Sequence, residues 1–179
     1  MRRPSLRRPQ TANDHQSALL CIEDGLGTPS NGLWETPDVP ELTFRSAVPA
    51  DVHSILLFWQ EAAEDSNRPT DTREAVDRLI RRDADALVLV TNDRSIVGSL
   101  VIGWDGWRCH LYRLAVHPDY QRRGIGTSLL KRAEERFVAF GGTRPDAMVL
   151  DGNDSAHELW SWAGYAQQGE WSRWVKTLI

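Results

Sequence analysis

A basic segment with two glycines carries the residue types best suited to holding an anion. Residues 121–127 read Gln-Arg-Arg-Gly-Ile-Gly-Thr and lie between an apolar run that ends at Val116 and a helical pattern that begins at Gly124. Glycine lets a backbone approach a ligand closely, and unpaired N–H groups at a helix N-terminus attract negative charge. The segment therefore indicates a phosphate or pyrophosphate site, although a tight strand-to-helix turn would use the same glycines. It lacks the lysine of a nucleoside-triphosphatase loop and the three-glycine spacing of a dinucleotide-binding turn.

The composition of the chain is typical of one folded domain. The 179 residues are 41% hydrophobic and 26% charged, and the net charge of −4 argues against a dedicated nucleic-acid binder. Cys21 and Cys109 fit no metal-ligand spacing, which favours free thiols in a reducing compartment. No apolar run is long enough to predict a transmembrane helix. We therefore expect a cytoplasmic protein without a metal, a membrane or a nucleic-acid partner.

The first 41 residues differ from the rest of the chain. Residues 1–8 contain four arginines and no acidic residue, and prolines interrupt the remainder without sustained periodicity. An arginine-rich start without an apolar segment favours a disordered extension over a targeting peptide. Docking of the extension through the apolar residues 18–22 is the alternative. The sequence thus predicts an extension over residues 1–41 and a domain over residues 42–179.

From residue 42 onward the apolar spacing predicts a mixture of strands and helices. The predicted strands cover residues 42–45, 86–90, 96–102, 107–116, 147–150 and 171–178. The predicted helices open at residues 49–51 and near residue 71, and further helices cover residues 124–140 and 155–163. Capping pairs are expected at Asp71/Glu74 and Ser155/Glu158. This order of elements favours an α+β fold around one sheet.

Two spaced motifs resemble those of the GCN5-related N-acetyltransferases. The first is Val116-x-Pro-x-Tyr-Gln-Arg-Arg-Gly-Ile-Gly126, which is similar to the acetyl-coenzyme A signature of that family. The second is Asn153-x-x-Ala-x-x-Leu-Trp-x-x-x-Gly-Tyr165. The resemblance covers residues 42–179 and implies an α/β/α fold. Its central sheet would be mixed, mostly antiparallel, splayed between the fourth and fifth strands, and flanked by about four helices.

The resemblance also implies an activity and a cofactor site. The activity is direct transfer of an acetyl group from acetyl-coenzyme A to a primary amine, and a homodimer is left open. Main-chain N–H groups of the 121–127 loop would hold the pyrophosphate, and the backbone of β-strand residues Leu114 and Val116 would pair with the pantetheine arm. The N–H of Leu114 would donate to the thioester oxygen. The implied cofactor-binding residues are Leu114, Val116, Gln121, Arg122, Arg123, Gly124, Ile125, Gly126, Thr127 and Asn153.

His110 occupies the position at which members of that family often carry a glutamate, four residues before the oxyanion donor. Histidine titrates nearest physiological pH, so His110 is a candidate for accepting the amine proton directly or through water. A positioning or structural role is the alternative. Strict alternation along the strand places His110 on the same face as Leu114 and Cys109 on the opposite face. Cys109 is therefore a poor candidate for a nucleophile.

Trp160 stands where many members of the family have a tyrosine that protonates the leaving thiolate. An indole N–H does not ionise near neutral pH, so the usual acid is missing. Tyr165, Ser161 and Tyr120 are the nearby alternatives for that role, and Tyr165 is the one placed in the catalytic set with His110 and Leu114. Asn153 has two interpretations, a hydrogen bond to the pantetheine arm or an N-cap of the following helix.

The acceptor site and the rival functions are less specified by sequence. The loop Trp104-Asp105-Gly106-Trp107 is expected to line the acceptor pocket, because two aromatic rings with a carboxylate suit a cationic amine. A non-catalytic module that binds acetyl-coenzyme A is the main rival, and Trp160 favours it. A nucleic-acid binder that uses the N-terminal arginines is disfavoured by the acidic balance of the remainder.

Overall fold

The structure is a computed structural model that describes residues 41–63, 70–93, 95–170 and 172–178. The predicted extension therefore lies outside the described residues, apart from Glu41. Within the described residues, five strands form one sheet in the order β1-β2-β3-β4-β5. The strands are β1 (Leu42–Ser46), β2 (Leu87–Asn92), β3 (Ser95–Trp104), β4 (Cys109–Val116) and β5 (Pro145–Ala147). All neighbouring pairs are antiparallel except β4 and β5, which are parallel.

Two helices cover each face of the sheet. The helices are α1 (Val52–Ala62), α2 (Arg73–Arg82), α3 (Ile125–Ala139) and α4 (Asp154–Trp162). Buried residues of α1 and α2 pack on one face against Leu89, Val101 and Ala115. Buried residues of α3 and Trp160 of α4 pack on the other face against Leu100 and its neighbours. This is the α/β/α arrangement that the sequence predicts.

The sheet opens between β4 and β5. Only the first three residues of β4, Cys109–Leu111, pair with β5. The strand then continues to Val116 with no further pairing on that side. The predicted splay between the fourth and fifth strands is therefore confirmed, and the second half of β4 has an open edge.

A β-bulge in β4 reverses the alternation of its side chains. Ser99 of β3 pairs with Ala115, and Val101 pairs with Tyr112, so Leu100 alone faces two β4 residues. Arg113 within the bulge has a φ of +52°, in the left-handed region. His110 therefore lies on the α1/α2 face, whereas the side chain of Leu114 packs in the core on the α3/α4 face. The prediction that His110 and Leu114 share a face is wrong, because strict alternation fails at a bulge.

Both predicted capping pairs are displaced by one or two residues. The side chain of Thr72, not Asp71, accepts the hydrogen bond from Ala75 N at 3.2 Å. Asp71 instead forms an ion pair with Arg113. Asn153, not Ser155, caps α4. In each case the residue that the local pattern favours has another partner. Asp71 pairs with the distant Arg113, and Ser155 donates to its neighbour Asn153.

The two C-terminal strand predictions fail in part. The predicted strand at residues 147–150 shares only Ala147 with β5, because pairing with β4 ends where the bulge begins. The sequence predicts a strand over residues 171–178, but residues 172–178, which the structure describes, form none, and their side chains are exposed. Alternating apolar residues do not make a strand without a partner edge, and β5 offers only three residues.

Candidate functional site

The loop before α3 presents a row of unpaired N–H groups. Arg122 and Gly124 adopt left-handed φ values of +59° and +77°, and Gly124 is the N-cap of α3. Within the described residues, the backbone N–H groups of residues 122–127 donate to no backbone carbonyl. Such a curved row of N–H groups at a helix N-terminus favours an anion. The geometry agrees with the phosphate site that the sequence indicates.

The side chains of the two arginines in this loop each contact another side chain of the domain. The guanidinium of Arg122 donates to Glu158 of α4 at 2.7 Å, and both side chains are exposed. The guanidinium of Arg123 stacks on the ring of Tyr120 at 4.9 Å. Exposed ion pairs contribute little to stability. Arg122 is therefore able to exchange Glu158 for a phosphate at small cost.

The two glycines of the loop serve different ends. A Cβ at Gly124 would meet nothing within 4 Å, so it is the left-handed backbone at this position that favours glycine. A Cβ at Gly126 would lie 2.9 Å from Leu159 Cδ2. Gly126 thus allows α4 to pack closely against α3, which differs from the close approach to a ligand that the sequence suggested.

The open edge of β4 offers backbone groups to a ligand. His117 N–H donates to Val97 C=O at 2.9 Å, so the neighbouring pair of Val116 and Gly98 is a non-hydrogen-bonded one. The N–H and C=O groups of Val116 consequently point away from β3 towards the open side. Gln121 Nε2 donates to Val116 C=O at 3.2 Å. A ligand that pairs with this carbonyl displaces the exposed Gln121 side chain.

Asn153 caps α4 and retains a free donor. Its Oδ1 accepts from Ala156 N and from Ser155 Oγ, both at 3.0 Å. Its amide nitrogen has no hydrogen bond to any described residue. Asn153 also lines an open surface depression, whose far side is formed by residues 61–63 at the end of α1. The cap interpretation is confirmed, and the free amide nitrogen leaves the second role available.

Asn153 variants separate the two roles. Asn153→Ser keeps a capping oxygen without the amide donor, whereas Asn153→Ala removes both. We expect Asn153→Ala to lower the free energy of unfolding by about 1 kcal/mol and Asn153→Ser to leave it nearly unchanged. If Asn153 also holds the cofactor that the resemblance implies, both variants should weaken the binding of acetyl-coenzyme A in calorimetric titration. Full affinity in Asn153→Ser would show that Asn153 acts only as a cap.

His110 is oriented by a carboxylate on the neighbouring strand. Its Nδ1 lies 2.7 Å from Asp146 Oδ1, and Asp146 is its register partner in β5. A carboxylate only accepts hydrogen bonds, so Nδ1 carries the proton and the Nε2 lone pair remains available. His110 lies four residues before Leu114, a separation of up to ~13 Å along a strand. This separation favours the water-mediated role of His110 over the direct one.

Comparison with known proteins decides the family. Residues 53–165 match the model of the acetyltransferase (GNAT) family. The chain belongs to the GNAT family. It is 31% identical over 119 residues to a Yersinia pestis protein described as an uncharacterized N-acetyltransferase, covering 66% of this chain and 83% of that protein.

Solved GNAT-fold structures resemble the domain at low sequence identity. Ard1 from Thermoplasma volcanium superposes with a TM-score of 0.62 at 20% identity, covering 72% of this chain and 84% of that one. PaiA N-acetyltransferase from Thermoplasma acidophilum, solved in complex with coenzyme A, gives 0.61 at 16% identity, with 68% and 87% covered. These likenesses support the GNAT fold.

The hydroxyl and the ring of Tyr165 both have partners within this GNAT domain. Its hydroxyl donates to Glu134 of α3 at 3.1 Å, and its ring meets Trp160 edge-on at 4.8 Å. Burial, and then the nearby Glu134 carboxylate, raise the pKa of Tyr165 well above its usual value. A higher pKa makes a phenol a weaker acid, so the structure lends no support to Tyr165 as the proton donor. Its contacts join α3 to α4.

The other two alternatives for the acid are no better placed. Ser161 is an exposed residue of α4. The hydroxyl of Tyr120 accepts a hydrogen bond from Asn92 Nδ2 on β2. These contacts place neither residue in the acid role, and Trp160 itself is buried in the core.

The expected aromatic acceptor pocket does not form. Trp104 stacks on Phe140 at 5.9 Å on the α3/α4 face, whereas Trp107 is 76% exposed beneath the guanidinium of Arg108. Asp105 Oδ1 accepts from Arg108 N–H at 2.7 Å and from Trp107 N–H at 2.8 Å. These two hydrogen bonds lower the pKa of the Asp105 carboxyl. Asp105 thus stabilises its own turn, which separates the two rings.

The surroundings of Cys109 make it a poor candidate for a nucleophile in this GNAT domain. Its thiol is buried on the α3/α4 face, and burial raises the pKa of the Cys109 thiol. Low thiolate content makes a cysteine inert.

Across the described ranges, no group of three or more His, Cys, Asp or Glu side chains is arranged to hold a metal ion. In the same parts of the chain, no helix is long and apolar enough to span a bilayer.

Sequence reasoning missed two residues that contact β4. Asp146, which orients His110, precedes an apolar run and carries no local signal of its partner. Ser99, which is fully buried in β3, hydrogen-bonds the backbone of the bulge. The signal for Ser99 was available as a lone polar residue inside the apolar pattern of residues 96–102.

Proposed function

We propose that this GNAT protein transfers an acetyl group from acetyl-coenzyme A to a primary amine. The observation that carries the proposal is the row of unpaired N–H groups at residues 122–127, next to the open edge of β4. A row of backbone donors flanked by two arginines suits the chemistry of a pyrophosphate. The coenzyme A bound to the PaiA relative supports the same choice of cofactor.

The chain's own groups divide the work of binding. Residues 122–127 hold the pyrophosphate, and Arg122 and Arg123 neutralise its charge. The backbone of Val116 pairs with the amide groups of the pantetheine arm, and the Asn153 amide donates from the opposite side of the opening. When bound, acetyl-coenzyme A supplies the thioester whose acetyl group is transferred. Leu114 N–H donates to the thioester oxygen, where negative charge develops.

The α1/α2 face of β4 is the side from which the amine approaches. His110 lies on this face, and Asp146 and Asp105 add negative charge that favours a cationic acceptor. His110 Nε2 accepts the amine proton through water. The amine attacks the thioester directly, without an acyl-enzyme, since the Cys109 thiol is buried and cannot serve as the intermediate nucleophile. A free thiol has a pKa of about 8.5, so its thiolate can leave without a dedicated acid.

An acceptor screen tests this function. Purified protein is incubated with acetyl-coenzyme A and a panel of small amines, polyamines, aminoglycosides and peptides with free N-termini or lysines. Release of free thiol above the hydrolysis rate is the expected result for at least one cationic amine. Tight binding of acetyl-coenzyme A without thiol release for any acceptor would favour the non-catalytic binding module. A cytoplasmic location, a homodimer and the absence of a nucleic-acid partner stay predictions.

A further inference from the structure

We propose that Ser99, held by Trp59, is a positioning residue that directs the Leu114 N–H at the thioester. The inference rests on the proposed function, because it concerns the group that would polarise the thioester carbonyl. Ser99 lies in β3, and Trp59 lies in α1. Neither side chain reaches the open edge of β4, so both act through the backbone of the bulge.

The contact is a short chain of hydrogen bonds. Trp59 Nε1 donates to Ser99 Oγ at 2.9 Å, and Ser99 Oγ donates to the carbonyl of Arg113 at 3.0 Å. Ser99 is fully buried, and it is the one polar residue found in the buried set of the described chain. Both donors, Trp59 Nε1 and Ser99 Oγ, therefore have acceptors, and the Ser99 hydroxyl proton points to the Arg113 carbonyl.

The bonded carbonyl fixes the direction of the neighbouring N–H. The Arg113 carbonyl and the Leu114 N–H belong to the same peptide, and in a planar trans peptide they point in opposite directions. Because the carbonyl is directed to Ser99 on β3, the N–H is directed away from β3. That side is the open one, where β4 no longer pairs with β5.

The bulge conformation needs such a restraint. Arg113 has a φ of +52° without being glycine, which is an unfavourable backbone state that its surroundings must stabilise. Its side chain is 8% exposed, forms an ion pair with Asp71 and stacks over the Trp59 ring at 5.1 Å. Trp59 thus contacts the bulge twice, once through this stacking and once through Ser99.

The hydroxyl also changes the strength of the donor. A hydrogen bond accepted by a peptide carbonyl polarises the peptide, so its N–H becomes a better donor. An apolar side chain would pack as well between Leu89 and Ala115, its register partners on either side. It would leave Trp59 Nε1 without this acceptor, and it would remove the hydrogen bond that Ser99 Oγ donates to the Arg113 carbonyl, so the bulge peptide would lose one of its restraints. The serine therefore contributes direction and polarity to the Leu114 N–H.

The test reads the thioester carbonyl itself. Protein is loaded with acetyl-coenzyme A labelled with ¹³C at the acetyl carbonyl, and its stretching frequency is measured by difference infrared spectroscopy. In the native protein we expect a lower frequency than in free solution, because an N–H donates to the oxygen. Ser99→Ala should lose most of this shift, Ser99→Thr should retain it, and Trp59→Phe should give an intermediate value.

Val101→Ala is the matched control. Val101 lies two residues along the same strand, on the same face and buried, and its side chain makes no hydrogen bond to the bulge. It should lose stability as Ser99→Ala does while keeping the full carbonyl shift. Once an acceptor is known, kcat of Ser99→Ala should fall towards the ~10²-fold loss caused by removing one oxyanion donor. Its KM for acetyl-coenzyme A should stay near the native value.

Failure of the inference and failure of the function are distinguishable. A native-sized carbonyl shift in Ser99→Ala that still binds acetyl-coenzyme A would overturn the inference and leave the function intact. No binding by the native protein would overturn the function. In that case, the Arg113 carbonyl ¹³C resonance of ligand-free protein tests the bond alone, and an unchanged resonance in Ser99→Ala overturns it. If Ser99→Ala does not fold, Ser99→Cys, a weaker donor, must show a reduced shift for the inference to stand.

Discussion

Replacing His110 with alanine is expected to lower kcat by ~10²–10⁴ while leaving the Kd for acetyl-coenzyme A nearly unchanged. The physical reason is that Nε2 is the ring nitrogen left without a partner among the described residues, on the face from which we propose that the amine approaches. Asp146 holds the ring in that orientation from the partner strand. The residues proposed to hold the pyrophosphate lie beyond the end of β4, so cofactor binding should be spared. Steady-state kinetics with the amine found in the acceptor screen measures the effect, and calorimetry measures the Kd.

The partner carboxylate supplies the controls. Asp146→Asn should reduce kcat less than His110→Ala, since the imidazole remains but loses its orienting acceptor. His110→Glu alone would place two carboxylates together across β4 and β5, so we expect partial recovery only with Asp146→Asn as well. The acidic limb of the kcat/KM profile should disappear in His110→Ala. Retention of both kcat and that limb would place the base elsewhere, and Asp105 would be tested next.

Gly124→Val is expected to raise the Kd for acetyl-coenzyme A roughly 10- to 100-fold, the value of one hydrogen bond to a charged group. A β-branched residue is strained at a φ of +77°, so the backbone rotates and the row of N–H groups no longer converges. Steric contact does not complicate the result, because a Cβ at residue 124 would meet nothing within 4 Å. Calorimetric titration of the folded variant measures the change.

Gly141→Val is the matched control for this prediction. Gly141 has a φ of +81°, lies in equally open space and follows the opposite end of α3. Its substitution should lower stability by a similar amount and leave the Kd for acetyl-coenzyme A unchanged. Equal Kd values for the two variants would mean that the loop does not hold the cofactor. Gly126→Val is a poorer test, since its side chain meets Leu159 and disturbs the packing of α3 against α4.

The parts of the fold that depend on local pattern could be predicted. Between residues 42 and 140, each predicted strand and helix formed within a few residues of its predicted bounds, as the β2–β3 hairpin and α3 show. The cofactor loop belongs to this group, because its glycines and arginines are adjacent in the sequence. A helix N-terminus with glycine at its cap exposes N–H groups wherever the rest of the chain lies.

The parts that depend on long-range pairing could not be predicted. The bulge at Arg113 contains no glycine, so the local sequence does not indicate it. It arises from the alignment of β4 with β3 and from the contacts of Arg113 with Asp71 and Trp59. It moved His110 to the other face from Leu114. The partnership of His110 with Asp146 spans 36 residues and follows from the parallel pairing of β4 with β5.

The central claim is that the N–H groups of residues 122–127 hold the pyrophosphate of coenzyme A. Its most direct test is a titration of ¹⁵N-labelled protein with coenzyme A, followed through the backbone amide resonances. The chain of 20.3 kDa is within the range of this method. We expect the largest downfield ¹H shifts at residues 122–127, with smaller ones at Leu114 and Val116. Saturable binding that leaves the amides of residues 122–127 unmoved would contradict the account.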